Sequence, residues 1–277
     1  MDLQRGAGVM TDARRRTVWW RLGLAGWLAA TAIACGGGAV RPVLPSAELE
    51  ADRLLFERGV TALEERRWRS AREYFVQIRD NYPQSEYRRQ ARLSIGDTYE
   101  GEGTVEAYIQ ALDEYQDFLV LYPTHPSAAY ARYKLGLVHF HQMRRAERDQ
   151  TETMNAVAAF ETFITLYPDH ELMPEVRQRL RDARDRISEH NFVVGHFYYR
   201  FKNHAGAISR FRQILDDDPA YTRRDEVYFY LAESLARINQ RVEAIPYFAR
   251  LLDEFEESEY AEQARMRIAE LEVAQAR

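Results

Sequence analysis

The sequence holds one cysteine, Cys35, and two lysines, Lys134 and Lys202. A single thiol forms no internal disulfide and supplies neither a zinc site nor a thioredoxin-like pair, so the fold must hold itself by packing. The scarcity of lysine leaves the basic charge to arginine, a compositional habit that names no ligand. Glycine (14) and proline (9) are modest in 277 residues, which points away from disorder and toward a folded chain. Strand-type alternation over four to eight residues is nearly absent, against any all-β reading. The sequence has no H-E-x-x-H, P-loop, G-x-S-x-G or G-x-G-x-x-G. We therefore expect no enzyme activity, no cofactor and no metal. The net charge of −5 gives no reason to seek nucleic acid, since phosphate neutralisation requires basic surface. The N-terminal apolar run, Leu22 to Ile33, is too short to span a bilayer comfortably: 12 residues rise about 18 Å as a helix, against ~30 Å of hydrocarbon.

That run has the anatomy of an export signal. Arg14, Arg15, Arg16 and Arg21 precede it, and the small residues Ala32 and Ala34 close it. Translation starts at Met1 or Met10. Cys35 follows "AIA" directly, an arrangement similar to the lipobox of bacterial lipoproteins, in which the cysteine becomes the acylated N-terminus. One departure is Ala32, where lipoboxes usually carry leucine. The reading is a signal peptide over residues 1–34, a lipid on Cys35, and a tether over residues 35–48. The tether's glycines loosen it, and Pro42 and Pro45 stiffen it. Cleavage removes five bases and two acids. Attachment of so acidic a chain then depends on acyl chains, at ~0.8 kcal/mol per buried CH₂.

From about Leu49 the pattern is all-α. An "A-x3-[FY]-x7-P" spine recurs as Ala71/Phe75/Pro83, Ala111/Tyr115/Pro123, Ala156/Phe160/Pro168 and Ala207/Phe211/Pro219. A fifth copy, Ala244/Phe248, has Glu256 in the proline position. Upstream of these lie Gly59, Gly96, Gly136, Gly195 and Ala232. This is the tetratricopeptide pattern. Small residues let the two helices of a unit approach, the aromatic fills the gap, and proline closes the second helix. The expected fold is a superhelix of five helix-turn-helix repeats over residues 49–276. A capping helix carries Ala261, Ala264, Ile268 and Leu271 on one stripe.

The spacing is informative where it breaks. Glycine (or Ala232) to alanine is 12 residues in repeats one, four and five, 15 in repeat two and 20 in repeat three. The excess in repeat three, "QMRRAERDQTET", is polar and predicts a loop. From Pro174, Val176, Leu180, Ala183 and Ile187 recur at helical spacing, so one long helix is expected from about Pro174 to Phe201. "HFH" at 139–141 reads as one packed and one exposed histidine. His190 and His196, six residues apart, do not share a helical face. "HFYYRF" at 196–201 reads as core, and "RRDE" at 223–226 as solvated surface.

The mature chain resembles the BamD family, tetratricopeptide lipoproteins of the outer-membrane β-barrel assembly machinery. The resemblance covers about residues 48–258. It rests on the lipobox, the five units, "YPTHPSAAYARYKLGLVHF" between repeats two and three, and "RDQT" in the third-repeat loop. Most specific is "RQRLRDARDRISEHNFVVGHFYYRFKNHAGAISRFRQIL", which runs a long helix into repeat four. The resemblance implies an assembly factor held by lipid on the periplasmic face of the outer membrane. Its N-terminal repeats would receive the C-terminal targeting segment of unfolded barrel proteins. Its C-terminal repeats would dock on the barrel insertase, beside other lipoproteins of the machinery. The family's docking arginine in helix B of repeat four corresponds to Arg210.

Counting each unit's glycine as position eight, positions two, five and nine face the groove. They are Arg53, Phe56 and Val60 in repeat one, and Gln90, Leu93 and Asp97 in repeat two. In repeat three they are Tyr130, Tyr133 and Leu137. This mix suits an aromatic-rich segment with a terminal carboxylate, and Arg53 is the candidate for that carboxylate. The alternative is a periplasmic tetratricopeptide adaptor lipoprotein for another envelope or cell-division complex.

Overall fold

The computed structural model describes residues 45–275, and this part of the chain is helical throughout its regular structure. The signal segment, Cys35 and most of the tether lie outside the described residues. Five helical pairs follow one another: α1 (Pro45–Glu64) with α2 (Trp68–Asn81), and α3 (Arg88–Glu102) with α4 (Val105–Leu121). Then come α5 (Ala128–His141) with α6 (Thr151–Leu166), α7 (Met173–Arg200) with α8 (His204–Asp217), and α9 (Arg224–Arg237) with α10 (Arg241–Glu254). The eleventh helix, α11 (Ala261–Gln275), caps the stack. The helix therefore starts at Pro45, a good first helical residue, and takes four residues that the sequence reading assigns to the tether.

The spine residues do what their sizes dictate. A Cβ built on Gly59 would lie 2.6 Å from the Phe75 ring, one on Gly96 2.7 Å from Tyr115, and one on Gly136 2.5 Å from Phe160. Gly195 repeats the arrangement with Phe211 at 2.7 Å. These spacings are below van der Waals contact, so only hydrogen fits there. The matching alanines Ala71, Ala111, Ala156, Ala207 and Ala244 are fully buried. Each repeat thus buries its aromatic between its own two helices, and the next repeat covers the remainder.

Each B helix ends on a residue outside the helical region: Tyr82, Tyr122, Tyr167, Asp218 and Phe255, with ψ between 56° and 76°. Four of them precede proline, which disfavours the helical region at the preceding residue. Phe255 takes the same conformation ahead of Glu256, so packing alone suffices in repeat five. The turn into the next helix has its own recurring bond, two residues past the proline position. The Tyr87 N–H donates to Ser85 Oγ (3.1 Å), and the Ser127 and Leu172 N–H groups donate to Nδ1 of His125 and His170 (3.1 Å each). The Tyr260 N–H donates to Ser258 Oγ (3.3 Å). His125 and His170 also stand edge-on to Phe118 and Phe163 at 5.6 Å. These side chains satisfy orphan donors at the turn into the next helix.

Helix α7 is continuous over 28 residues and bridges repeats three and four. Arg181 from its first half donates to both carboxylate oxygens of Asp218, the C-cap of α8, and the Ser188 hydroxyl donates to Asp218 as well. Burial by itself would raise the Asp218 carboxyl. The bonds from Arg181 and Ser188 more than offset it and hold the group below the usual carboxylate range. The third-repeat insert folds back onto the same helix. Ala146 is buried, and its carbonyl lies 2.6 Å from His190 Nδ1. The first helices of successive repeats also meet each other, α5 with α7 and α7 with α9. They form one wall of the stack and the second helices form the other.

Candidate peptide groove and docking surface

The wall of first helices carries the groove positions, and the structure distributes them unequally. Arg53 on α1 is 66% exposed, and among the described residues its carboxylate partner is Glu57, one turn away at 2.8 Å. Phe56 stacks on Tyr87 at 4.9 Å with Phe75 behind it at 5.8 Å, which presents a fixed aromatic surface beside Arg53. Val60 is half-buried in the first core cluster and Gln90 is exposed. Leu93 is a correction to the groove list: it is 1% exposed and packs in the core of α3, α4 and α5. Residues of α4 and of α5 in the next repeat pack with it, which counting within one repeat does not reveal. Tyr133 is a second correction. It is buried against Phe160 and Phe163, and its hydroxyl donates to Glu175 Oε1 at 2.7 Å. Leu137 is half-buried in the same cluster.

Asp97 is held in a buried polar network. Tyr115 Oη lies 2.6 Å from Asp97 Oδ1 and 2.9 Å from Glu100 Oε2, and the Tyr130 hydroxyl donates to Asp97 Oδ1 at 2.8 Å. Lys134 Nζ sits 2.6 Å from Glu100 and 3.6 Å from Asp97. A phenol has one proton, so Tyr115 donates to one carboxylate at a time. Burial raises the Asp97 carboxyl above its ordinary value, although Lys134 and the two phenols pull the other way. The same burial and the two carboxylates push the Tyr115 phenol well up. Two acids facing one ammonium make a network satisfied from within, and Asp97 and Tyr130 are committed to it.

The second half of this wall is aromatic. Phe192 stacks on His196 (5.8 Å, 11°), and His196 meets Tyr230 at 4.8 Å. Burial and then Arg200 hold the His196 imidazole below its usual range. Within "HFYYRF", Tyr198 and Tyr199 pack against the core as expected. Phe197 and Phe201 are exposed, with rings 4.5 Å apart. The sequence reading did not include these repeat-four and repeat-five positions in the groove, although the same count from Gly195 yields Phe192 and His196.

Arg210 lies half-exposed on α8 and donates only to Gln213 on its own helix, at 3.1 Å. Among the described residues it has no carboxylate partner, whereas its neighbour Arg212 pairs with Glu243 at 2.7 Å. His139 pairs with Glu152 at 2.7 Å and His141 is the exposed one. Among the described residues no three histidine, cysteine or acidic side chains converge as a metal site, and no helix is long and apolar enough to cross a membrane.

The fold and this wall define a tetratricopeptide solenoid, and residues 226–258 match the tetratricopeptide repeat by themselves. Residues 50–239 match the family described as outer membrane lipoprotein, and the chain belongs to that family. Relatives named outer membrane protein assembly factor BamD are found in several bacteria. The one from Caulobacter vibrioides is 29% identical over 218 residues, covering 78% of this chain and 70% of the relative. That from Rickettsia prowazekii is 25% identical, covering 70% and 76%, and that from Haemophilus influenzae 24% identical, covering 76% and 81%.

Proposed function

We propose that this chain is an outer membrane protein assembly factor that works by binding, as a lipid-anchored scaffold on the periplasmic face of the outer membrane. The observation that carries the reading is the match to outer membrane lipoproteins over residues 50–239, which spans the first four repeats and the first helix of the fifth. Acyl chains on Cys35 hold the protein at the membrane, and more than one chain makes the attachment durable. The first helices receive unfolded barrel proteins in extended form. On α1 the stacked Phe56 and Tyr87 rings offer a rigid apolar surface, and Arg53, tied among the described residues to exposed Glu57, can exchange that partner for a client carboxylate. On the opposite wall Arg210, without an acid partner among the described residues, is the docking arginine toward the barrel insertase.

The test is recovery of the native complex from detergent-solubilised envelope. Co-purification of a barrel insertase supports the reading. Recovery of a different envelope or division complex with no insertase would replace it with the adaptor alternative. Cys35→Ser should leave the helical fold intact and move the protein to the soluble fraction. Continued membrane association of that variant refutes the lipid anchor.

A further inference from the structure

We infer that the cavity formed by α7, α9 and α11 is a second peptide subsite, which takes an aromatic side chain adjacent to an acidic side chain within an extended segment. The inference rests on the reading of the first-helix wall as a peptide groove. The cavity measures about 490 Å³ and is lined by Tyr199, Phe229, Tyr230, Arg237, Met266 and Arg267. That volume is within the range of small-ligand sites. Its aromatic wall is rigid: Tyr230 stands edge-on to Tyr199 (5.1 Å, 69°) and to Phe229 (5.4 Å, 86°), and Phe229 is backed by Tyr260 at 4.8 Å. Exposed Met266 supplies an adaptable opposite side.

The charges select the second half of the ligand. Glu233, only 6% exposed, accepts from Arg267 Nε through one oxygen, and Arg267 reaches Glu270 with its other arm. Both acids of the lining are thus engaged by Arg267. Arg237 remains 59% exposed, and the carboxylate paired with it, Glu233 Oε2, is 3.7 Å away and beyond hydrogen-bond reach. Lys202 adds to this field at the α7–α8 turn. Burial, then Arg237 and Lys202, hold the His204 imidazole below its usual range, against the opposing pull of Glu233. Among the described residues His204 Nδ1 also has no hydrogen-bond partner. An aromatic wall beside a guanidinium without a bonded acid fits an aromatic–carboxylate pair. Two rings of the cavity, Tyr199 and Tyr230, meet His196, which in turn stacks on Phe192 along α7. A segment lying across the helices therefore passes through it, which favours an internal acidic side chain over a chain terminus.

The experiment uses the full chain in detergent micelles and three fluorescent hexapeptides, read by anisotropy. Two are C-terminally amidated with an internal Asp-Phe or Asn-Phe, and the third ends in Asn-Phe with a free carboxylate. Asp-Phe should bind about tenfold more tightly than amidated Asn-Phe, the difference expected of one charge-assisted bond. Arg237→Gln should abolish that difference, and Met266→Glu, at an exposed position, should weaken Asp-Phe binding with an unchanged melting curve. Equal binding of the two amidated peptides overturns the inference, as does an Arg237→Gln variant that keeps the difference. A preference for the free-acid peptide alone also overturns it, in favour of C-terminal capture. Cross-linking of unfolded barrel proteins at Phe56 separates the two levels. If it persists while the peptide result fails, only the subsite is lost, and if both fail the groove reading is lost as well.

Discussion

On the wall of first helices, α3 and α5 carry Asp97, Glu100, Tyr130 and Lys134, whereas α7 and α9 carry His196, Tyr199, Tyr230 and Arg237. Asp97 and His196, Glu100 and Tyr199, and Lys134 and Tyr230 hold the same positions within their respective repeats. In the first, every charge meets another within the protein, with Lys134 2.6 Å from Glu100 and two phenols on Asp97. In the second, the aromatics pack on one another and, among the described residues, Arg237 has no carboxylate within hydrogen-bond distance. A repeat position therefore fixes where a side chain points, and its neighbours on adjacent helices decide whether it remains available. The N-terminal network ties α3, α4 and α5 together, and the C-terminal wall keeps surface to offer.

The comparison breaks most severely at Lys134. Lys134→Met leaves Asp97 and Glu100 facing each other without a cation, and removing one partner of a buried ion pair costs about 3–5 kcal/mol. The urea midpoint should fall accordingly, and Lys134→Met combined with Asp97→Asn should recover much of the loss. A midpoint unchanged by Lys134→Met would show that the network is solvated and that the two halves do not differ in this way. The scaffold, by contrast, should not distinguish the halves. Gly136→Ala and Gly195→Ala each force a methyl against a ring, with Cβ at 2.5 and 2.7 Å. Overpacking of this kind costs about 1–3 kcal/mol, so thermal melts of the two variants should shift alike.

The scaffold was legible in the sequence because it depends on spacing. Gly136, Ala156 and Phe160 specify one helix pair whatever surrounds them, and the unbroken apolar spacing from Val176 to Ile187 specified α7 to within a residue. The groove was only partly legible because availability is a property of pairs. Leu93 and Tyr133 hold groove positions by count, yet Leu93 is buried among residues of α4 and α5, and Tyr133 against Phe160 and Phe163 of its own repeat. The C-terminal cavity joins Tyr199, Tyr230 and Met266 from three helices, and no local pattern links them. The Ser85, His125, His170 and Ser258 turn bonds were readable in principle, two residues past each proline position, once their role is known.

A pH titration sharpens the comparison from the other half. Glu226 opens α9, and burial pushes its carboxyl from 4.5 up to about 7, with Arg223 opposing and Asp225, Glu189 and Glu259 adding to the rise. The folded state then holds this proton more tightly than the unfolded state, so the contribution is fully present below about 4.5. It is lost as pH rises toward 7. Glu226→Gln should flatten the decline in melting temperature across that window. Asp218 has the opposite sign, since its carboxyl is held low and its contribution is lost only as pH falls below the ordinary carboxylate value of 3.8. A decline that survives Glu226→Gln unchanged would assign the pH dependence to Asp97 or Glu114, the other carboxyls that burial raises.

The smallest expected effect on stability is at Arg53, where the functional claim is strongest. Its guanidinium is on the surface and, among the described residues, it pairs with an exposed acid a turn away, an arrangement that contributes little. Arg53→Gln should therefore leave the melting temperature where it was, and lower cross-linking of unfolded barrel proteins to a photoreactive residue at Phe56. Arg237→Gln should be equally silent in the melt and should leave cross-linking at Phe56 unchanged, because that cavity lies on α7, α9 and α11. A loss of cross-linking in both variants would mean that one client segment spans the whole wall. Loss in Arg53→Gln alone would establish two separable stations along it. Unchanged cross-linking in Arg53→Gln would remove the carboxylate role from repeat one, and Arg237 would become the candidate cation for client capture.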